Sequence, residues 1–180
     1  MSAHHPFELN TPVSAVDHVL GADHAHVTVV EYGDFECPNC KQAAPAVKLL
    51  LDRFAERVRF VFRHYPLEEV HPHALAAAEV AECAGAQGQF WPMHDLLFEH
   101  QLHLKAQQLR SYAERLNIDM ARYTAELDDH VYLQRVREHQ HGGRNSGVRG
   151  TPAFFVNGRL QDVSFGIQGL FGAVEHALKR

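Results

Sequence analysis

The segment Val27-Thr28-Val29-Val30-Glu31-Tyr32-Gly33-Asp34-Phe35-Glu36-Cys37-Pro38-Asn39-Cys40 carries two structural signals and one chemical signal. Val27 to Tyr32 is β-branched and nearly all apolar, the pattern of a central strand buried on both faces. Gly33 to Glu36 breaks it. From Pro38 the period becomes helical: Val47, Leu50, Leu51, Phe54 and Val58 recur at spacings of three and four and form one apolar stripe. A helix is therefore predicted from Pro38 to about Arg57. Pro45 lies inside it and should kink it, because its ring displaces a backbone hydrogen bond. Val58 to Tyr65 reads as a second strand, ended by Pro66. Strand, helix and strand in this order predict a βαβ unit with a parallel pair.

Cys37 and Cys40 stand where that helix opens. A spacing of i, i+3 puts both sulfurs on one side of the first turn, close enough to bridge. Cys37 precedes the turn, where unpaired N–H groups and the helix dipole favour an anion. That lowers its pKa and makes it the attacking thiolate. Cys40 lies deeper, receives less of this help, and is the resolving thiol. Pro38 suits the first helical position, where a missing N–H costs nothing.

Outward from this unit, residues 1–25 read as a polar arm with an edge strand around Ser14 to Leu20. Residues 26–68 hold the βαβ unit. Residues 69–143 contain no convincing strand and five helical stretches: Ala74 to Ala84, Phe90 to His100, Leu104 to Leu116, Asp119 to Leu127 and Asp129 to His139. A block this long is an inserted helical domain, not a structureless loop. Gly142 to Gly147 reads as its exit linker. Residues 144–180 then supply a strand at Ala153 to Val156, an Asn157-Gly158 hairpin turn, a return strand from Arg159 to Val163 and a last helix from Gln168 to Leu178.

Composition excludes several classes. The 180 residues fit one domain, or one carrying an insertion, and 46% hydrophobic residues suffice for a core. A formal charge of −5 predicts no broad cationic surface for nucleic acid or anionic lipid. No apolar run approaches the ~20 residues that a bilayer span needs. Three cysteines cannot build a disulfide framework, and Cys83, set among alanines and Val80, reads as a small buried hydrophobe. The 15 histidines have no fixed metal-ligand spacing and read as scattered and solvated, with His64 structural. Met1 to Leu9 shows no cationic start and no apolar stretch, so a cytoplasmic location is expected.

The residues Glu31 to Cys40 resemble the active-site segment of the thioredoxin superfamily, and specifically its DsbA-like branch. Glu31 lies six residues before Cys37, where the family keeps a buried acid, and Pro45 five after Cys40, where its helix is kinked. Gly150-Thr151-Pro152-Ala153-Phe154-Phe155-Val156-Asn157-Gly158 is similar to the family's cis-proline segment. The implied fold is α/β: a thioredoxin fold, βαβ plus β-hairpin and C-terminal helix, with an inserted helical domain. The implied activity is thiol–disulfide exchange with thiol- or disulfide-containing proteins or small thiols, reset by a thiol-based recycling system, without a cofactor. Catalytic roles fall on Cys37, Cys40, Glu31 and Pro152. Substrate contacts fall on Thr151, Pro38 and Asn39. Glu31 would take the Cys40 proton, its own pKa raised by desolvation. Phe35 and Tyr65 are expected to shield the pair. The direction of exchange is not legible. Two other readings remain: a metal-binding or metal-delivery protein using the CxxC and histidines, and a redox-sensing binding module.

Overall fold

The structure is a computed structural model that describes residues 7–164 and 166–180. Five strands form one sheet: β1 (His18–Gly21), β2 (Val27–Gly33), β3 (Val58–His64), β4 (Ala153–Val156) and β5 (Arg159–Gln161), in the order β1-β3-β2-β4-β5. β2 and β3 run parallel, joined by α1 (Pro38–Phe54); the other pairs are antiparallel. The chain between β3 and β4 folds as α2 (Ala74–Gly85), α3 (Phe90–Glu99), α4 (Ala106–Arg115), α5 (Met120–Asp128) and α6 (Leu133–Asn145). α7 (Gln168–Ala177) closes the fold. This is the thioredoxin-like α/β fold with a helical insertion.

Side-chain alternation along the strands divides the core. Val27 and Val29 of β2, Phe60 and Phe62 of β3, and Phe154 and Val156 of β4 join one cluster with Cys37, Cys40 and the apolar stripe of α1. Val30, Tyr32, Val61 and Phe155 point to the opposite face. By the same period-two rule Glu31 falls on the face that carries the cysteines.

The N-terminal arm guards both sheet edges. Leu9 N–H donates to Gly158 O and Leu160 N–H to Phe7 O along β5 (2.8 and 3.0 Å). The arm then crosses to β1 and pairs with β3, so neither edge offers a long bare ladder. Arg63 holds the crossing in place. Its guanidinium donates to Asp17 at 2.9 Å, to Tyr32 Oη at 3.2 Å and to the carbonyls of Thr11 and Pro12 at 2.7 and 3.0 Å.

Three local expectations are corrected. The edge strand is shorter than Ser14 to Leu20 and starts at His18. Gly142 and Gly143 are not linker: α6 runs through both. A Cβ on Gly143 would stand 2.8 Å from the Tyr65 ring, so the glycine serves a close approach between helix and sheet, not a loose turn. Nor are all the histidines solvated. His64, His94 and His139 are buried and His18 partly so. Glu82 on α2 accepts from His64 Nε2 (2.8 Å) and His18 Nε2 (3.0 Å), and pairs with Arg135 Nε (3.2 Å). His64 stacks on His139 and His94 packs edge-on to Phe62. These rings weld the insertion to β3 and β1, which no ligand-type spacing could reveal.

Burial pushes the Asp17 carboxyl up, but hydrogen bonds from Arg63 and from the Ser14 N–H outweigh it and hold the pKa below the usual range. Its contribution to stability is therefore present above the ordinary carboxylate pKa of ~4 and is lost as pH falls through the lower folded value. Asp17→Asn leaves the Arg63 charge buried with one partner removed. We expect a loss of about 3 kcal/mol in urea unfolding at pH 7, and wild-type stability would contradict the arm's anchoring.

Candidate dithiol active site

The site forms where β2 ends and α1 begins. Cys37 is the N-cap of α1, with extended backbone (φ −76°, ψ 121°), and Pro38 occupies the first turn. Cys37 N–H donates to Asp34 O (3.1 Å), and Cys37 O accepts from Lys41 N–H (3.2 Å), the first bond of the helix. Cys37 is 5% exposed and Cys40 fully buried; both are free thiols. Pro38 and Asn39 between them face solvent.

The segment before β4 comes up against this turn. The Thr151–Pro152 peptide is cis. Cys37 Sγ–H donates to Thr151 O at 3.4 Å. The Thr151 hydroxyl is buried and has no hydrogen-bond partner while Cys37 is a thiol. It is therefore a donor available to a thiolate. The structure thus brings Cys37, Cys40, Thr151 and Pro152 together from two halves of the chain 114 residues apart.

The electrostatics separate the two sulfurs. The Cys37 pKa falls to about 5, first through a hydrogen bond from the Cys40 thiol. Burial opposes the shift; Thr151 and the N–H groups of Cys40 and Asn39 reinforce it. These N–H groups are the unpaired donors of a helix N-terminus. Burial pushes Cys40 far up, and its bond to Cys37 and the negative charges of Glu31 and Cys37 push it further. Its one backbone donor is Asp34 N–H, 3.5 Å from Sγ. Glu31 is raised to about 8 by burial and then by the Cys37 charge. Glu31 Oε1 is buried without a hydrogen-bond partner. Gly33 makes room for it: a Cβ there would meet Glu31 Oε1 at 3.1 Å and the Phe62 ring at 2.4 Å.

Several supports have no signal in sequence. Gln101, just past α3, donates its side-chain amide to Phe35 O (2.9 Å) and Cys37 O (2.8 Å), so the insertion grips the turn before α1 directly. Asp34 Oδ1 accepts from Glu36 N–H (2.7 Å), and Oδ2 from Leu67 N–H and His71 Nδ1 (both 2.8 Å). A glutamine after a helix and an aspartate in a turn are too common to single out. Phe35 packs against Phe62 and Phe98, and Tyr65 donates to Val148 O, so both are buried beside the turn.

Cys83 is fully buried in α2, and burial pushes its pKa to about 12. Among the described residues, the group with metal-ligand geometry is His64, Glu82 and His139, and it includes neither Cys37 nor Cys40. Its carboxylate is already engaged by His18, His64 and the Arg135 guanidinium, a fixed positive charge that disfavours a cation.

Residues 14–175 match the family described as Thioredoxin, and the chain belongs to it. The thioredoxin-like oxidoreductase from Silicibacter pomeroyi is 26% identical, covers 93% of this chain and 95% of its own, and superposes with a TM-score of 0.82. Oxidised BdbD from Bacillus subtilis, 24% identical, covers 97% and 99% with a TM-score of 0.84. The chain is thus a DsbA-like member of the thioredoxin superfamily. It is also 53% identical over 161 residues to the Na(+)/H(+) antiporter NhaA 1 of Salinispora arenicola, covering 89% of this chain. The chain spans about a quarter of that relative's length (24%). No helix among the described residues is long and apolar enough to cross a membrane.

The expected cytoplasmic location is overturned. A thioredoxin-like protein of Salmonella enterica with the same fold (TM-score 0.74, 20% identity, 91% of each chain) is described as periplasmic. That neighbour points away from the cytoplasm.

Thr151→Val removes the idle hydroxyl while keeping side-chain shape. The Cys37 thiolate midpoint, followed by ultraviolet absorbance of the reduced protein, should rise by about one pH unit. An unchanged midpoint would exclude the hydroxyl as a donor.

Proposed function

We propose that this chain exchanges thiols and disulfides through the Cys37–Cys40 pair, acting on protein or small-thiol substrates and reset by an external thiol-based system. One observation carries the reading: Cys37 caps α1 against Thr151 with its thiolate favoured, while Cys40 lies buried behind it with its thiolate disfavoured. In the reducing direction the Cys37 thiolate attacks one sulfur of a substrate disulfide. A Cys37–substrate disulfide forms, and the other substrate sulfur leaves as a thiolate and takes a proton. Glu31 accepts the Cys40 proton, and Cys40 attacks Cys37 Sγ. The Cys37–Cys40 disulfide forms and the second substrate thiolate departs. Two electrons pass from the dithiol to the substrate. The reverse sequence oxidises a substrate dithiol.

Glu31 suits this step because burial brings its pKa to about 8 and leaves one oxygen unpartnered. Pro152 and the Thr151 backbone are the edge along which an extended substrate would align, with Pro38 and Asn39 on the facing rim. Residues 26–68 and 144–180 then supply the reacting halves, and the 69–143 insertion steadies them through Gln101.

The thiolate also bears on direction. A Cys37 pKa depressed to about 5 contributes stability to the reduced protein. That contribution is complete above the ordinary thiol pKa and is lost as pH falls through 5. The oxidised form has no thiolate to stabilise. A favoured reduced state makes the disulfide the more oxidising form, the argument by which DsbA is a strong oxidant. This supports the oxidising direction.

The oxidised protein, unfolded and assayed for thiols, should show one free group, Cys83, and three after reduction. Three free thiols after oxidation would remove the reading. Cys40→Ala should accumulate substrate bound through Cys37, seen as a mass adduct that reductant releases.

A further inference from the structure

A groove of about 1080 Å³ runs from Asn39 and Gln42 on α1, past Thr151 and Pro152, to residues 160–164 and 166–168. Its charged lining residues are Arg149 and Asp162. Asp162 is already engaged, accepting from the Ser164 N–H (2.9 Å) and the Ser164 hydroxyl. Arg149 is exposed and, among the described residues, has neither an ion pair nor a hydrogen bond. Among the described residues Arg57, Arg144, Arg159 and Arg180 likewise hold no carboxylate, but none of them lies beside Thr151. Acids outnumber Lys and Arg by 22 to 17, and Arg53, Arg63, Arg110, Arg122, Arg135 and Arg137 each hold a carboxylate.

The position matters as much as the vacancy. Arg149 lies two residues before Thr151, whose carbonyl sits 3.4 Å from Cys37 Sγ. Between them Gly150 has nothing within 4 Å of the place its Cβ would take, so the loop is open on that side. Neighbouring residues of a substrate chain are ~3.8 Å apart along the backbone. A substrate chain with its sulfur at Cys37 that ran toward Gly150 would carry its flanking residue past Gly150 and Arg149. A guanidinium there matches a carboxylate as a two-pronged donor.

We propose that Arg149 is a specificity-determining residue that selects disulfides flanked by a carboxylate. This rests on the exchange activity proposed above and names its substrate class. The carboxylate can belong to an acidic residue of a polypeptide or to a small thiol such as glutathione.

The test uses the reduced protein and three disulfide-linked peptides, identical except for Glu, Gln or Lys beside the cysteine, with oxidised glutathione as a fourth probe. At low salt kcat/KM should fall in the order Glu, Gln, Lys, with about tenfold between the extremes, and the spread should shrink at high salt. Arg149→Glu should invert the order, and Arg149→Lys should retain it. Each comparison is a ratio within one protein, so a general loss of activity in a variant cancels. A discrimination lost in Arg149→Glu for the Glu peptide assigns the polypeptide source; one lost for glutathione alone assigns the small thiol. A peptide order and a glutathione-to-Gln-peptide rate ratio that are both unchanged in Arg149→Glu would overturn the proposal while leaving exchange intact. No turnover of any probe would instead remove the exchange reading and this inference with it.

Discussion

Three acidic groups, Cys37, Cys40 and Glu31, are packed into one buried corner that can hold one negative charge. Burial raises all three, the Cys37 charge raises Glu31 and Cys40, and the Glu31 charge raises Cys40. What decides the contest is first the hydrogen bond that the Cys40 thiol gives Cys37, then Thr151 and the N-terminus of α1. Its free N–H groups reach Cys37 and leave Cys40 and Glu31 largely unserved. The Cys40 thiol then stops competing and donates to Cys37, so loss at one sulfur is gain at the other. The remaining architecture keeps this corner in register. β2 aims Glu31 at the helix face, Gly33 clears space for it, and Asp34 and Gln101 fix the turn from two sides.

Much of this was legible in the sequence because it is local. The β-branched run, the helical stripe and the two cysteines at a helix start are short-range signals. They point to the βαβ unit and to a cysteine pair at the start of α1 without any tertiary knowledge. The distant Thr151-Pro152 segment was readable through resemblance, and the structure places it against Cys37. The long insertion was visible as helix-forming sequence, with boundaries off by a few residues where fraying and caps decide the ends.

The misreadings share a cause: they concern residues whose meaning comes from distant partners. Gly142 and Gly143 look like a flexible exit but are small so that α6 can lie against Tyr32 and Tyr65. His18, His64 and His139 look scattered, yet the fold gathers them around Glu82 and each other. Gln101 and Asp34 act through backbone carbonyls and N–H groups, which have no sequence identity to recognise. The compartment was misread for a different reason. It was inferred from the first residues, and the folded domain does not encode it.

The account stands on a single charge settling at Cys37. Site-resolved alkylation of the reduced protein across pH 3 to 10, quantified by mass spectrometry, reads that directly. The account predicts Cys37 modified with a midpoint near 5, and Cys40 and Cys83 protected throughout in the folded state. Cys40 reacting first, or Cys37 titrating near the ordinary thiol value of ~8.5, would contradict it.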